Sequence, residues 1–428
     1  LGSYIHNGRL EFASLPVIEP SVRDMFLLWL SKALERKNHC AKIHSGLALP
    51  GMSSLMNYMQ IAATENTIYT SPDASKIFCY TPSIIVTPTG RLIVSFDLGG
   101  EGVKSIEGHK SSRAGGSRFG QGKIFISDDN GQKWTFVQNF PFWHARLFTI
   151  GNSIYLIGHA GDICIMKSED NGESWSDTYF LTHGEKWHSS ACNVLFSNGN
   201  VYLAMEQRCR LNEVTGWDVA GLSPTLFRAC VEDNLCLASS WSRSEKFIYK
   251  EVFDGAKLDF FGIPFYDCET NKPKEIATGI NNAPLGWLEA NVVKFVDKDH
   301  IWHTDLKEVF HLFLRAHTGG VNYAHLFKIE IQDDQSMIPS LEHTPSGQKI
   351  SYIPFPGGHL KFFIIYDELT RFYWLVSNQA TDSMRCVSSL SNIKRYGLPN
   401  NERHRLQLHF SRNCVDWCFA GNGGLLYK

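Results

Sequence analysis

The stretches Ser127-Asp128-Asp129-Asn130-Gly131-Gln132-Lys133-Trp134 and Ser168-Glu169-Asp170-Asn171-Gly172-Glu173-Ser174-Trp175 are one pattern written twice, Ser-x-Asp-x-Gly-x-x-Trp. Each follows a strand-like apolar run, Lys123 to Ile126 and Ile163 to Lys167. Asp and Ser side chains bond to nearby backbone, Gly accepts positive φ, and Trp buries as the chain returns, so each copy reads as a hairpin with its own local core. The copies begin at Ser127 and Ser168, a spacing of about 40 residues, which suits one four-stranded propeller blade per repeat. A chain punctuated this way is expected to be all-β.

A shortened third copy is Ser411-Arg412-Asn413-Cys414-Val415-Asp416-Trp417, with Asn in the Asp place. The pattern resembles the Asp box of the sialidase-like (neuraminidase, BNR-repeat) superfamily. That resemblance implies a β-propeller, six-bladed or alternatively seven-bladed, with a short helical N-terminal lead-in. The expected domains are a lead-in over 1–65 and the propeller over 66–428. The lead-in helix is expected from Val22 to Arg36, where Phe26, Leu27, Leu30, Ala33 and Leu34 recur at helical spacing after Ser21. Asp boxes belong to the propeller rim, so they speak for architecture and not for chemistry.

Composition narrows the function classes. The chain has 43 acidic against 41 basic residues, without the basic surplus of a nucleic-acid binder. The apolar run Met25 to Leu30 is too short to span a bilayer. Eleven cysteines form no CxxC pair, and those inside apolar runs, such as Cys164, read as buried thiols. If a leader has been removed, an extracellular or periplasmic location is expected in preference to a cytoplasmic one.

The resemblance extends to two further segments. Phe78 to Asp97 is similar to the segment that opens the sialidase propeller, where the family has an Arg before Ile-Pro. This chain has Tyr80-Thr81-Pro82 there, and a neutral side chain does not replace a charge-assisted bond to a carboxylate. The resemblance is therefore to the superfamily and not to a standard sialidase. Arg113 and Arg118, in the Gly-rich excursion from Gly99 to Gly122, are alternative cations. The second segment is Gly286-Trp287-Leu288-Glu289-Ala290-Asn291-Val292-Val293 with Val309 to Ala316. There the resemblance implies that Glu289 is the base partnering a nucleophilic Tyr and that Arg315 grips the substrate carboxylate. A plain ion pair between the two is the alternative. For the Tyr, Tyr323, Tyr352 and Tyr366 are options, with Tyr323 taken as the candidate.

Other candidates come from the residues themselves. His144, His159 and His188 stand at strand ends, suited to proton transfer or to structural hydrogen bonding. Arg208 shares a strand face with Glu206 and serves either anion binding or a salt bridge. Trp143, Trp187 and Trp287 are expected as stacking faces for sugar rings. No cofactor is expected, and no metal, because His303, His311, His317 and His325 show no close His-x-His or Cys pairing.

Three functions compete. An exo-acting glycoside hydrolase would cleave a terminal sugar from an acidic glycan. A polysaccharide lyase would perform β-elimination at a uronic acid with His or Tyr and Arg. A non-catalytic propeller would only bind glycan. The enzyme readings predict that Glu289, Arg315, His144 and His188 line one cavity, with an acidic glycan or oligosaccharide as partner.

Overall fold

A computed structural model of the protein describes residues 3–6, 9–14, 64–112, 119–210, 213, 217–253, 260–261, 274–277, 280–282, 285–317, 322–380 and 405–425. Strand dominates. Five antiparallel sheets of four or five strands follow one another along the chain, each with the strand pattern of a propeller blade. Their first strands are Phe78–Val86, Trp143–Ile150, Trp187–His188, Gly286–Val293 and Phe363–Asp367, and the sheets are termed blades one to five.

Among the described residues the count is five, not the expected six or seven. Length overcounts blades because connections absorb residues: between Ser242–Arg243 and Gly286–Val293 the described elements are one helical turn and three short strands. The helix expected over 22–36 lies outside the described residues. The lead-in contributes strands that the sequence reading missed, Ser3–His6 and Arg9–Ser14, in a three-stranded sheet with Thr64–Thr70. No helix among the described residues is long and apolar enough to cross a membrane.

The chain divides into two compact units. Unit one is Leu1–Ala160 with Ile165–Thr178 and Ala420–Leu426. Unit two is Gly161–Cys164 with Tyr179–Phe419 and Tyr427–Lys428.

In unit one the repeated turns superpose bond for bond. Ser127 Oγ donates to Asp129 Oδ1 (2.9 Å) and accepts from Gly131 N (2.9 Å). Asp129 Oδ1 also accepts from Lys133 N at 2.8 Å, and Trp134 Nε1 donates to Gly131 O at 3.0 Å. Ser168, Asp170, Gly172, Ser174 and Trp175 repeat all four contacts. Gly131 and Gly172 have φ of 82° and 86°, conformations that penalise a Cβ. In unit two the third copy keeps the Ser and Asn bonds, with Cys414 at φ 57° in the Gly place.

Neighbouring blades are clasped by side chains that imitate strand pairing. In unit one Ser83 Oγ of blade one accepts from Leu147 N of blade two at 3.0 Å. In unit two Asn193 of blade three accepts from Val292 N and donates to Val292 O of blade four, both at 2.7 Å. Asn291 of blade four accepts from Ile364 N and donates to Phe362 O, both at 3.1 Å. Apolar packing fills the rest. Tyr202, Leu222 and Leu226 of blade three pack with Trp287, Val292, Phe310 and Leu312 of blade four, all buried.

Candidate functional site

The clasps also fix which positions are equivalent from blade to blade. Each accepting residue sits two after, and each donating N–H three after, one equivalent place within or beside the first strand. That place is Thr81 in blade one, His144 in blade two, Ala191 in blade three, Glu289 in blade four and Lys361 in blade five. At three of them the strand bulges: the register shifts between Tyr80 and Ser83, opposite the Ile157 to His159 shift, and between Leu288 and Asn291. Thr81, His144 and Glu289 have φ of 47°, 54° and 61°. Left-handed backbone at a non-glycine residue costs on the order of 1–3 kcal/mol and clusters where a side chain must be re-aimed.

In unit two the bulge lifts Glu289 out of the ladder. Its side chain is 13% exposed, and Oε2 lies 3.6 Å from Arg315 Nη1. That oxygen is buried without a hydrogen-bond partner. Arg315 is buried, donates from Nε to His359 O at 2.9 Å, and lays its guanidinium over the Trp217 ring at 5.5 Å. Trp217 in turn meets His317 edge-on at 5.0 Å. A Cβ on Gly286 would stand 2.4 Å from Val219 C and 2.6 Å from its O, so glycine alone lets the Trp217 to Gly221 segment approach blade four.

Beneath the bulge lies a second carboxylate. Glu206 is almost fully buried; its Oε2 accepts from His188 Nδ1 at 2.8 Å and its Oε1 from Ala290 N at 3.1 Å. The His188–Glu206 pair therefore supports the backbone that carries Glu289. Beside Trp217, Asp218 accepts a short bond from Arg208 Nη1. Arg208 Nη2 and Asp218 Oδ2 are buried without a hydrogen-bond partner. Such groups are rare in folded proteins and mark places where water or ligand completes the set.

Unit one holds a histidine cluster of its own chain segments. His144 N donates to Asp97 Oδ1 at 3.0 Å, and the His144 and His159 rings approach at 3.4 Å between Nδ1 and Nε2. Asp97 and His159 are buried.

Against the expectations, Glu289 and Arg315 come together, and so do His144 and His159. His188 meets the Glu289 bulge through Glu206, and Arg208 is held by Asp218. Trp287 and Trp187 are 0% and 1% exposed, and Trp143 is buried. None of the three offers an open face for a sugar, because alternation turns Trp287 into a cluster of Phe247, Tyr249, Phe253 and His325. Tyr323 neighbours Ala324, the register partner of Arg315, so alternation points it to the other face of the sheet. Arg113 and Arg118 lie outside the described residues. Trp217, Asp218 and Asp97 were missed; Trp217 and Asp218 sit in a short turn without periodicity, and Asp97 ends an apolar strand. Among the described residues no three His, Cys, Asp or Glu side chains gather to hold a metal ion.

No family model matches the sequence, and no curated protein matches it. Similar solved structures include a Penicillium chrysogenum alpha-L-arabinanase complexed with arabinobiose, at 10% identity and TM-score 0.39, with 80% of each chain covered. An alpha-L-arabinofuranosidase of Fusarium graminearum has 10% identity and TM-score 0.40 over 80% of each chain. A Trypanosoma rangeli sialidase in complex with sialic acid has 12% identity and TM-score 0.39, with 81% of this chain and 48% of that one covered. Likenesses this distant carry no argument about the chemistry.

Proposed function

We propose that the protein is a carbohydrate-active enzyme, an exo-acting glycoside hydrolase that removes a terminal sugar from an acidic glycan at the Glu289–Arg315 site. The observation that carries this reading is the Glu289 carboxylate: held in a strained backbone conformation, its Oε2 buried and free of hydrogen bonds, facing a guanidinium packed on an indole. A separation of 3.6 Å is long for a charge-assisted bond, whereas a substrate carboxylate can be gripped by Arg315 in bidentate fashion. Trp217 gives the sugar ring a stacking surface. Glu289, released from Arg315, then serves as the acid–base carboxylate at the glycosidic bond. Glu206 and His188 are positioning residues, because they hold the Ala290 N–H and so the bulge.

The test is a panel of fluorogenic glycosides and oligosaccharides of acidic sugars, scored for new reducing ends. Glu289→Gln should lower kcat by at least about 100-fold, the range of acid–base catalysis. A Glu289→Gln enzyme as active as the parent would overturn the assignment.

A second reading, a lyase acting on a uronic acid, is favoured by the His144–His159 ring contact, with Asp97 holding the backbone N–H of His144 and so the bulge that carries the imidazole. In it an imidazole removes the C5 proton. The same panel separates the two: an unsaturated uronate absorbs in the ultraviolet, and its formation would be abolished by His144→Ala rather than by Glu289→Gln.

A further inference from the structure

Blade four contains a cavity of about 510 Å³ that the proposed reaction does not use. It lies among the loop joining Gly286–Val293 to Val309–His317 and the strands Tyr323–Ile331 and Glu342–His343. Its wall includes Trp302, Lys328, Glu330 and Glu342.

The site is built, not incidental. Glu342, nine-tenths buried, accepts from His311 Nε2 at 2.9 Å through Oε2 and from its neighbour His343 N at 3.0 Å through Oε1. Lys328 Nζ lies 3.0 Å from Glu330 Oε1 and 3.8 Å from Glu342 Oε1. The Trp302 ring stacks on His311 at 5.4 Å and 22°, and its Nε1 is buried without a hydrogen-bond partner. Burial lowers the His311 pKa despite the pull of Glu342, so the imidazole stays neutral at pH 7. Burial raises the Glu342 pKa, but the His311 bond, the His343 N–H and Lys328 more than reverse it, so that carboxylate stays charged.

The charges around the wall nearly balance, Lys328 lying between Glu330 and Glu342 and Lys307 Nζ lying 3.9 Å from Glu330 Oε2, so the cavity favours neither an anion nor a cation. Two carboxylates accept hydrogen bonds from hydroxyl groups, and an aromatic ring with an unused N–H suits a C–H-rich face edged with oxygen. The volume lies within the range of small-molecule sites. We propose that this cavity binds a neutral sugar unit, with Glu330 and Glu342 taking its hydroxyl groups and Trp302 packing on its ring. Its role would be to hold a neutral residue of a glycan away from the reacting bond.

The experiment titrates D-glucose, D-galactose, D-xylose and L-arabinose into the full chain by saturation-transfer NMR and calorimetry. At least one should bind with Kd near 1 mM, about −4 kcal/mol. Trp302→Ala and Glu330→Gln should each weaken it about tenfold or more, 1.4 kcal/mol, while Glu289→Gln leaves it unchanged. Glu330 is partly exposed, so Glu330→Gln keeps the test valid should Trp302→Ala disturb the loop. Absence of saturable binding by all four sugars, or binding that ignores Glu330→Gln, overturns the proposal. So does binding abolished by Glu289→Gln, which would return the sugar to the other site.

Discussion

His325 should make unit two acid-sensitive. Its ring is 0% exposed and is enclosed by Tyr249, Phe253, Trp287 and Tyr352 at centroid distances of 5.3, 5.8, 5.6 and 4.1 Å. Burial pulls its pKa from 6.5 down to about 3, and the Ser351 carbonyl, 3.2 Å from Nδ1, only partly opposes the fall. The folded value is depressed, so the neutral ring's stabilisation is fully present above pH 6.5 and is lost as pH falls toward 3. Each pKa unit is worth 1.36 kcal/mol, so the whole window amounts to about 5 kcal/mol, and about 2.7 kcal/mol is lost by pH 4.5. His325→Phe keeps the aromatic volume and removes the titration, at a pH-independent cost of about 1–3 kcal/mol for the stranded Ser351 carbonyl. Urea unfolding followed by tryptophan fluorescence at pH 7.5, 5.5 and 4.5 measures both proteins. The variant should lose less stability than the parent over this range, by about 2–3 kcal/mol. Parallel pH profiles, agreeing within about 0.5 kcal/mol, would refute the reasoning.

Two further outcomes follow from the clasps and the bulge. Asn193→Ala strands both the N–H and the carbonyl of Val292 and should cost about 2–6 kcal/mol, twice the cost of one unmet buried group; Ser83→Ala, which removes one bond, should cost less in the same thermal or denaturant melt. Gly286→Ala drives a methyl into the Val219 backbone, so it should displace Trp217 and lower kcat/KM at the Glu289 site more than it lowers the melting temperature, as paired kinetics and calorimetry would record.

The all-β class and its blade-like repeat were legible because the Ser-x-Asp-x-Gly-x-x-Trp turn is local: its bonds run between residues two to four apart, so sequence spacing contains its geometry. That Glu289 and Arg315 meet was legible for a different reason, both being charges set into apolar strands, where each needs a partner. The blade count was not, since the connection before Gly286 has the length of a blade, while its described elements, a helical turn and three short strands, join no four-stranded blade. The tryptophans misled because strict alternation would put Trp287 on the face of Glu289, two residues on, whereas the bulge between Leu288 and Asn291 turns Glu289 toward Arg315 and leaves Trp287 in the core. Trp217 and Asp218 escaped because only the close approach at Gly286 brings their turn against blade four. Lys361, equivalent to Glu289 in blade five, becomes visible only once the Asn291 clasp on Ile364 sets the register.

The central claim is that Arg315 and Glu289 form the acidic-sugar site, and calorimetric titration of N-acetylneuraminic acid and D-glucuronic acid into the parent and Arg315→Met tests it directly. The account predicts that at least one of them binds the parent and that Arg315→Met weakens it by about 10- to 100-fold, the value of a charge-assisted bond of 1.5–3 kcal/mol. Equal affinity in a folded Arg315→Met variant, or no binding of either acid to the parent, would contradict it.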